Sequence, residues 1–134
     1  MPPTSRTMKP ADILGALLAL TQTEHDVLPY DRTRLHHALC VARLASPMLT
    51  HLGCAAYPHE DHPIVDATLI QMQRARVLKI VETDGRCTIE LSAVRYFDEI
   101  VLAKFTRDDL SALRRAAKIF GAALLGPEPT PTGA

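Results

Sequence analysis

Four side chains of metal-binding type lie close together: His51, Cys54, His59 and His62, in the spacing His-x2-Cys-x4-His-x2-His, with Glu60 and Asp61 between them. Zinc takes imidazole and thiolate ligands in a tetrahedron, and two-residue gaps let paired ligands converge from one turn. Structural zinc sites are usually richer in cysteine, so the favoured reading is a polar loop without metal, and the zinc site stands as the alternative. Histidine also titrates near neutrality, but nothing in this loop favours a pH response. His36 and Cys40 stand four apart in a helical stretch, where a thiol and an imidazole can meet and form a nucleophile. A buried cysteine on an amphipathic helix accounts for the same spacing, and His37, about 100° round the helix from His36, cannot join the pair. Asp108-Asp109 reads as helix capping rather than acid–base chemistry. No phosphate-cradling glycine loop, nucleophile elbow or metalloprotease helix is present in the sequence, and the expectation is a protein without catalytic residues or cofactor.

A different chemistry follows from the stretch Ala67 to Val81, which has no acidic residue and contains Arg74, Arg76 and Lys79. In a helix, Ala67, Gln71 and Arg74 share one face, opposite Val65, Leu69 and Met72. Glutamine and arginine make paired hydrogen bonds to the major-groove edges of adenine and guanine. Thr68, Gln73 and Lys79 are placed to reach phosphates, with Arg76 at the helix end. Arg86, in a turn, suits a minor groove or the backbone. The plainer reading is a solvated polar face on a core helix. Fifteen basic residues balance fifteen acidic ones, so no overall field draws nucleic acid or membrane. Such a surface has to come from local segregation of charge.

The elements that position these residues are legible from pattern. A chain of 134 residues that is 47% apolar makes one domain with a real core. Aromatics are 4% and Trp is absent, so that core is aliphatic and leans helical. Ile13 to Leu20 is too short to span a bilayer, and no signal cleavage site follows it. Cys40, Cys54 and Cys87 form an odd, sparse set with no disulfide framework, which makes the cytoplasm the expected compartment. Residues 1–9 read as a flexible arm and 126–134, with three prolines, as a disordered tail. A first helix runs from Pro10 to Gln22, with proline in the first turn. His25 to Tyr30 is a connection. A second helix starts at the N-cap Asp31, and Ser46-Pro47 opens a short one to Leu52. A third runs from Pro63 to about Arg76. Strands at 77–82 and 87–91 flank the hairpin turn Thr83-Asp84-Gly85-Arg86. Residues 93–105 are mostly helical in pattern, with a strand reading open at Ile100-Val101-Leu102. Thr106 caps a last helix to about Leu125.

The run Leu69-Ile70-Gln71-Met72-Gln73-Arg74-Ala75-Arg76-Val77-Leu78, followed by Thr83-Asp84-Gly85-Arg86, resembles the winged helix-turn-helix superfamily over roughly residues 31–92. The fold class expected is mainly α with a small two-stranded β-hairpin: a winged helix-turn-helix (10–105) with a C-terminal helix (106–125). The chain departs from the pattern at Ala75-Arg76, where such families often place a helix-ending glycine. The resemblance implies sequence-specific binding of double-stranded DNA, in transcriptional control. The alternative is a winged-helix protein-interaction module serving as subunit or adaptor. Leu110, Leu113, Ala117, Phe120 and Leu124 recur in steps of three and four, a coiled-coil-like seam. It is expected to form a homodimer interface, with packing on the first helix as the other possibility.

Overall fold

The structure, a computed structural model, describes residues 9–23, 28–52, 63–92 and 94–125. The expected arm, apart from Lys9, and the expected tail lie outside the described residues. Helix α1 (Pro10–Gln22) begins with proline in its first turn, as its sequence predicts. Its burial goes further than a wide apolar face: every residue from Asp12 to Thr21 is buried. The one charged side chain in that run, Asp12, accepts bonds of 3.3 and 3.2 Å from Lys104 Nζ. Gly15 is required by close packing, because a Cβ there would stand 2.6 Å from Cε1 of Phe97.

Strand β1 (Leu28–Pro29) and helix α2 (Arg32–Ala42) follow. Asp31 caps α2, accepting from the Arg34 amide at 3.1 Å, as serine-like and acidic caps do. A 3-10 helix spans Pro47–Leu52. Helix α3 (Pro63–Arg74) leads into β2 (Leu78–Thr83) and β3 (Arg86–Leu91). Leu78 faces Leu91 and Ile80 faces Ile89 on the inner side of this antiparallel pair, while Lys79 faces Glu90 on the outer side. The hairpin is not two-stranded, as expected, but the larger part of a three-stranded sheet of order β1-β3-β2. Leu28 pairs with Ile89, Pro29 with Thr88, and the Tyr30 amide donates to the Cys87 carbonyl at 2.7 Å. Pro29 fits because β1 is an edge strand, where a missing N–H is tolerated.

Residues 94–104 contain no strand. They form a helical turn α4 (Val94–Tyr96), a π-helical segment Phe97–Val101 and a 3-10 turn Leu102–Lys104. Phe97 and Val101 are the buried side chains of the π segment. Helix α5 (Arg107–Leu125) starts at Thr106, whose hydroxyl accepts from the Asp109 amide at 3.1 Å.

The seam of α5 is a correction to the sequence reading. Leu113, Phe120 and Leu124 have no exposed surface, Ala117 has 6%, and Leu110 is partly buried against the core. α5 packs on both α1 and α2 of its own chain. Two surfaces need cover, the inner faces of the first three helices and the seam of α5. Because α1 is enclosed on all sides and α2 shares α5, both surfaces are covered within a single copy. The seam is core, not a dimer interface.

Among the described residues, no helix is long and apolar enough to cross a membrane.

Candidate nucleic-acid interface

Helix α3 is fixed at both ends, and its fixing decides which side faces outward. Val65, Leu69 and Met72 are buried and point to α1. At the start of the helix, Asp66 turns towards α2. Arg32 donates to it through Nε at 3.2 and 3.0 Å and through Nη2 at 2.7 Å. His36 Nε2 lies 3.2 Å from the other side of the same carboxylate. The Arg32 hydrogen bonds hold the Asp66 carboxyl below its ordinary range, with partial burial opposing and His36 assisting. Nearby, burial and the charge of Asp66 push the Tyr30 hydroxyl above its ordinary value. His36, read from sequence as one half of a thiol–imidazole pair with Cys40, thus serves to tie α2 to α3. Cys40 is buried.

The far end of α3 closes without glycine. Arg76 adopts φ 62°, in the left-handed region. Its amide donates to the Gln73 carbonyl at 3.0 Å, and the Val77 amide donates to the Met72 carbonyl at 3.2 Å. This pair of bonds is the Schellman closure of a helix C-terminus, with arginine where glycine is usual. The helix therefore ends at Arg74, two residues earlier than its periodicity suggests. Arg76 projects from the junction rather than from the helix face.

Between these ends the helix is wet along one side. Ala67, Gln71 and Arg74 are exposed, as their spacing predicts, and so is Gln73. Thr68 is not. It is 4% exposed and its hydroxyl donates to the Ile64 carbonyl at 2.6 Å, so it is withdrawn from the set of phosphate-reaching residues. Its spacing from Val65 and Met72 already places it on the core stripe. Two exposed residues went unread: Ile70 at 50% and Ile64 at 42%. Their signal is visible in the sequence, since both are apolar and out of phase with Val65, Leu69 and Met72.

The hairpin carries the remaining basic residues. Lys79, on the outer side of β2, approaches Glu90 at 3.5 Å with both side chains mostly exposed, a contact too wet to hold it firmly. Asp84 at φ 53° and Gly85 at φ 78° form the turn, with positive φ at both central positions as a type I′ hairpin requires. Arg86 is exposed at its end. The strand rise sets this tip about 17 Å from the start of β2, so Arg86 and the α3 face are two separate points of contact. Glu82, Asp84 and Glu90 are exposed on the same hairpin, so its acids outnumber Lys79 and Arg86 by one. Arg74, Arg76 and Arg86 make no ion pair among the described residues.

The metal alternative falls on Cys54, His59 and His62, which lie outside the described residues, with His51 in the 3-10 helix before them. Among the described residues no group of His, Cys, Asp and Glu is arranged to hold a metal ion.

Comparison with known proteins brings no match: no family model fits the chain, and neither a curated protein nor a solved structure is similar to it.

Proposed function

We propose that this chain is a winged-helix protein that binds double-stranded DNA through α3 and acts in transcriptional control from the cytoplasm, without catalytic activity of its own. The support that carries furthest is the outward face of α3. Its only acidic residue, Asp66, is turned away and matched by Arg32. From Ala67 to Val81 there is no further acid, and Gln71 and Arg74 stand side by side on the exposed surface. A helix of this kind fits a major groove and offers the two side chains best suited to adenine and guanine edges. The element order supports the same reading: helix, short strand, two helices, and a hairpin whose inner strand receives the short one. Gln73, Arg76, Lys79 and Arg86 take phosphates in this reading. A second copy, where one binds, uses a face other than the α5 seam.

The test is an anisotropy titration with genomic DNA fragments at two salt concentrations. Phosphate contacts make affinity fall linearly in log salt. Arg74→Ala is expected to lower affinity for a specific site by about 1–3 kcal/mol with the fold intact. Absence of DNA binding by the parent chain overturns the proposal.

A second reading, a protein-interaction module that uses α3 as its docking helix, is supported by the exposed Ile64 and Ile70 and by the formal net charge of zero. Binding to such a partner responds little to salt.

A further inference from the structure

The least expected residue on the outward face of α3 is Ile70. It is half exposed, although an isoleucine on a helix normally turns inward. It lies three residues after Ala67 and four before Arg74, so the three share one line along the helix, with Gln71 beside it. The neighbouring cation, Arg74, makes no ion pair among the described residues. The face thus sets Ile70 between an amide and a guanidinium, with the second exposed isoleucine, Ile64, two turns before Gln71. In the major groove, one apolar feature stands among hydrogen-bonding edges: the C5-methyl group of thymine, beside the O4 acceptor and across from the adenine N6 and N7.

We infer that Ile70 is a specificity residue that packs on a thymine methyl, so that the target contains an A·T pair read jointly by Gln71 and Ile70, next to a guanine read by Arg74. This rests on the DNA-binding reading of α3 and deepens it. A 5-methylcytosine presents the same methyl group, but it pairs with guanine and leaves Gln71 without the adenine edge that suits it. Thymine is therefore the group that satisfies both neighbours. Arg74 and Arg76, in the run from Ala67 to Val81 that has no acidic residue, complement the phosphates that flank such a pair.

The experiment selects bound duplexes from a random pool at low salt with the full chain. In the selected duplex, each thymine is then replaced in turn by deoxyuridine, which lacks the methyl group. One such replacement is expected to weaken binding about three- to tenfold. Ile70→Ala should weaken the thymine duplex by the same factor and leave the deoxyuridine duplex unchanged. Cytosine and 5-methylcytosine at that position form the second comparison, and both should bind more weakly than thymine. If the chain binds DNA but every deoxyuridine replacement is neutral, or if Ile70→Ala weakens both duplexes equally, this inference is overturned while the DNA-binding reading stands. If 5-methylcytosine equals thymine, the pairing with Gln71 is wrong and the inference fails in that part. If no duplex is retained at all, both readings fall and the apolar face belongs to a protein partner. Circular dichroism of Ile70→Ala checks that the fold is kept.

Discussion

Arg76 sits in a backbone conformation that costs an L-residue about 1–2 kcal/mol, and only because it closes α3 at a fixed place. Arg76→Gly is therefore expected to raise stability by about 1 kcal/mol, read as an upward shift in thermal midpoint. Arg76→Ala retains the strain and should bring no such gain, while lowering the salt slope of DNA binding by about one. A glycine variant no more stable than the parent would show that Arg76 makes compensating contacts. Gly15 behaves in the opposite way. Gly15→Ala improves helix propensity yet drives a methyl group into Phe97, so a net destabilisation of about 1–3 kcal/mol is expected; chemical denaturation measures it. Residue-scale features of this kind were unevenly legible. The capping roles of Asp31 and Thr106 are local and follow from residue type. The strained Arg76 does not, because a helix that ends on arginine looks in sequence like one that continues. Nor is the demand at Gly15 visible, since the ring that imposes it comes from Phe97 far along the chain.

The elements whose ends carry local signals stand where the sequence puts them: α1 behind Pro10, α2 behind Asp31, α5 behind Thr106. The short strand β1 carries none. Two residues, one of them proline, offer no alternation, and their pairing is decided by β3 some sixty residues later. The π segment is equally silent, because Phe97 and Val101, its buried side chains, stand four apart as they would in an ordinary α-helix. The contact between α2 and α3 makes a testable case. Asp66 has its carboxyl held low in the folded chain by Arg32. Its contribution to stability is therefore present above the ordinary value of 3.8 and is lost as pH falls through the depressed folded value. Asp66→Asn should cost about 1 kcal/mol near neutrality, since Arg32 is half exposed. The gap between the two proteins should narrow as pH is lowered past 4. A gap that is constant in pH would mean that the carboxylate charge is not what joins the helices. For α5, Leu113→Asp is expected to unfold the chain rather than to separate two copies, because Leu113 is fully enclosed within one. Sedimentation and circular dichroism together distinguish the outcomes.

For the whole molecule, a net charge of zero coexists with a local run, Ala67 to Val81, that contains Arg74, Arg76 and Lys79 and no acidic residue of its own. Steering by the overall field is absent, so association with DNA should be slower than for a basic domain, while the bound state remains salt-sensitive. With Arg74, Arg76, Lys79 and Arg86 on phosphates or guanine, the log–log slope of affinity against salt should be about −3 to −4. A slope near zero favours the protein-docking reading instead. The mainly helical architecture was readable because few aromatics and an aliphatic core lean towards helices, and the apolar residues recur at helical spacing. The assignment of α5 was misread for a reason that belongs to this scale: periodicity shows that a seam must be covered but not by what.

The complete enclosure of α1 has a consequence during synthesis. A helix without a wet side has nothing to rest against until its neighbours arrive, and one of those neighbours, α5, is made last among the described elements. The earlier segments can form turns and the hairpin as they emerge, but α1 keeps an oily flank uncovered until α5 has left the ribosome. The nascent chain is thus obliged to wait, and a ribosome stalled before residue 107 would hold out a sticky, half-built core to whichever chaperone is nearest.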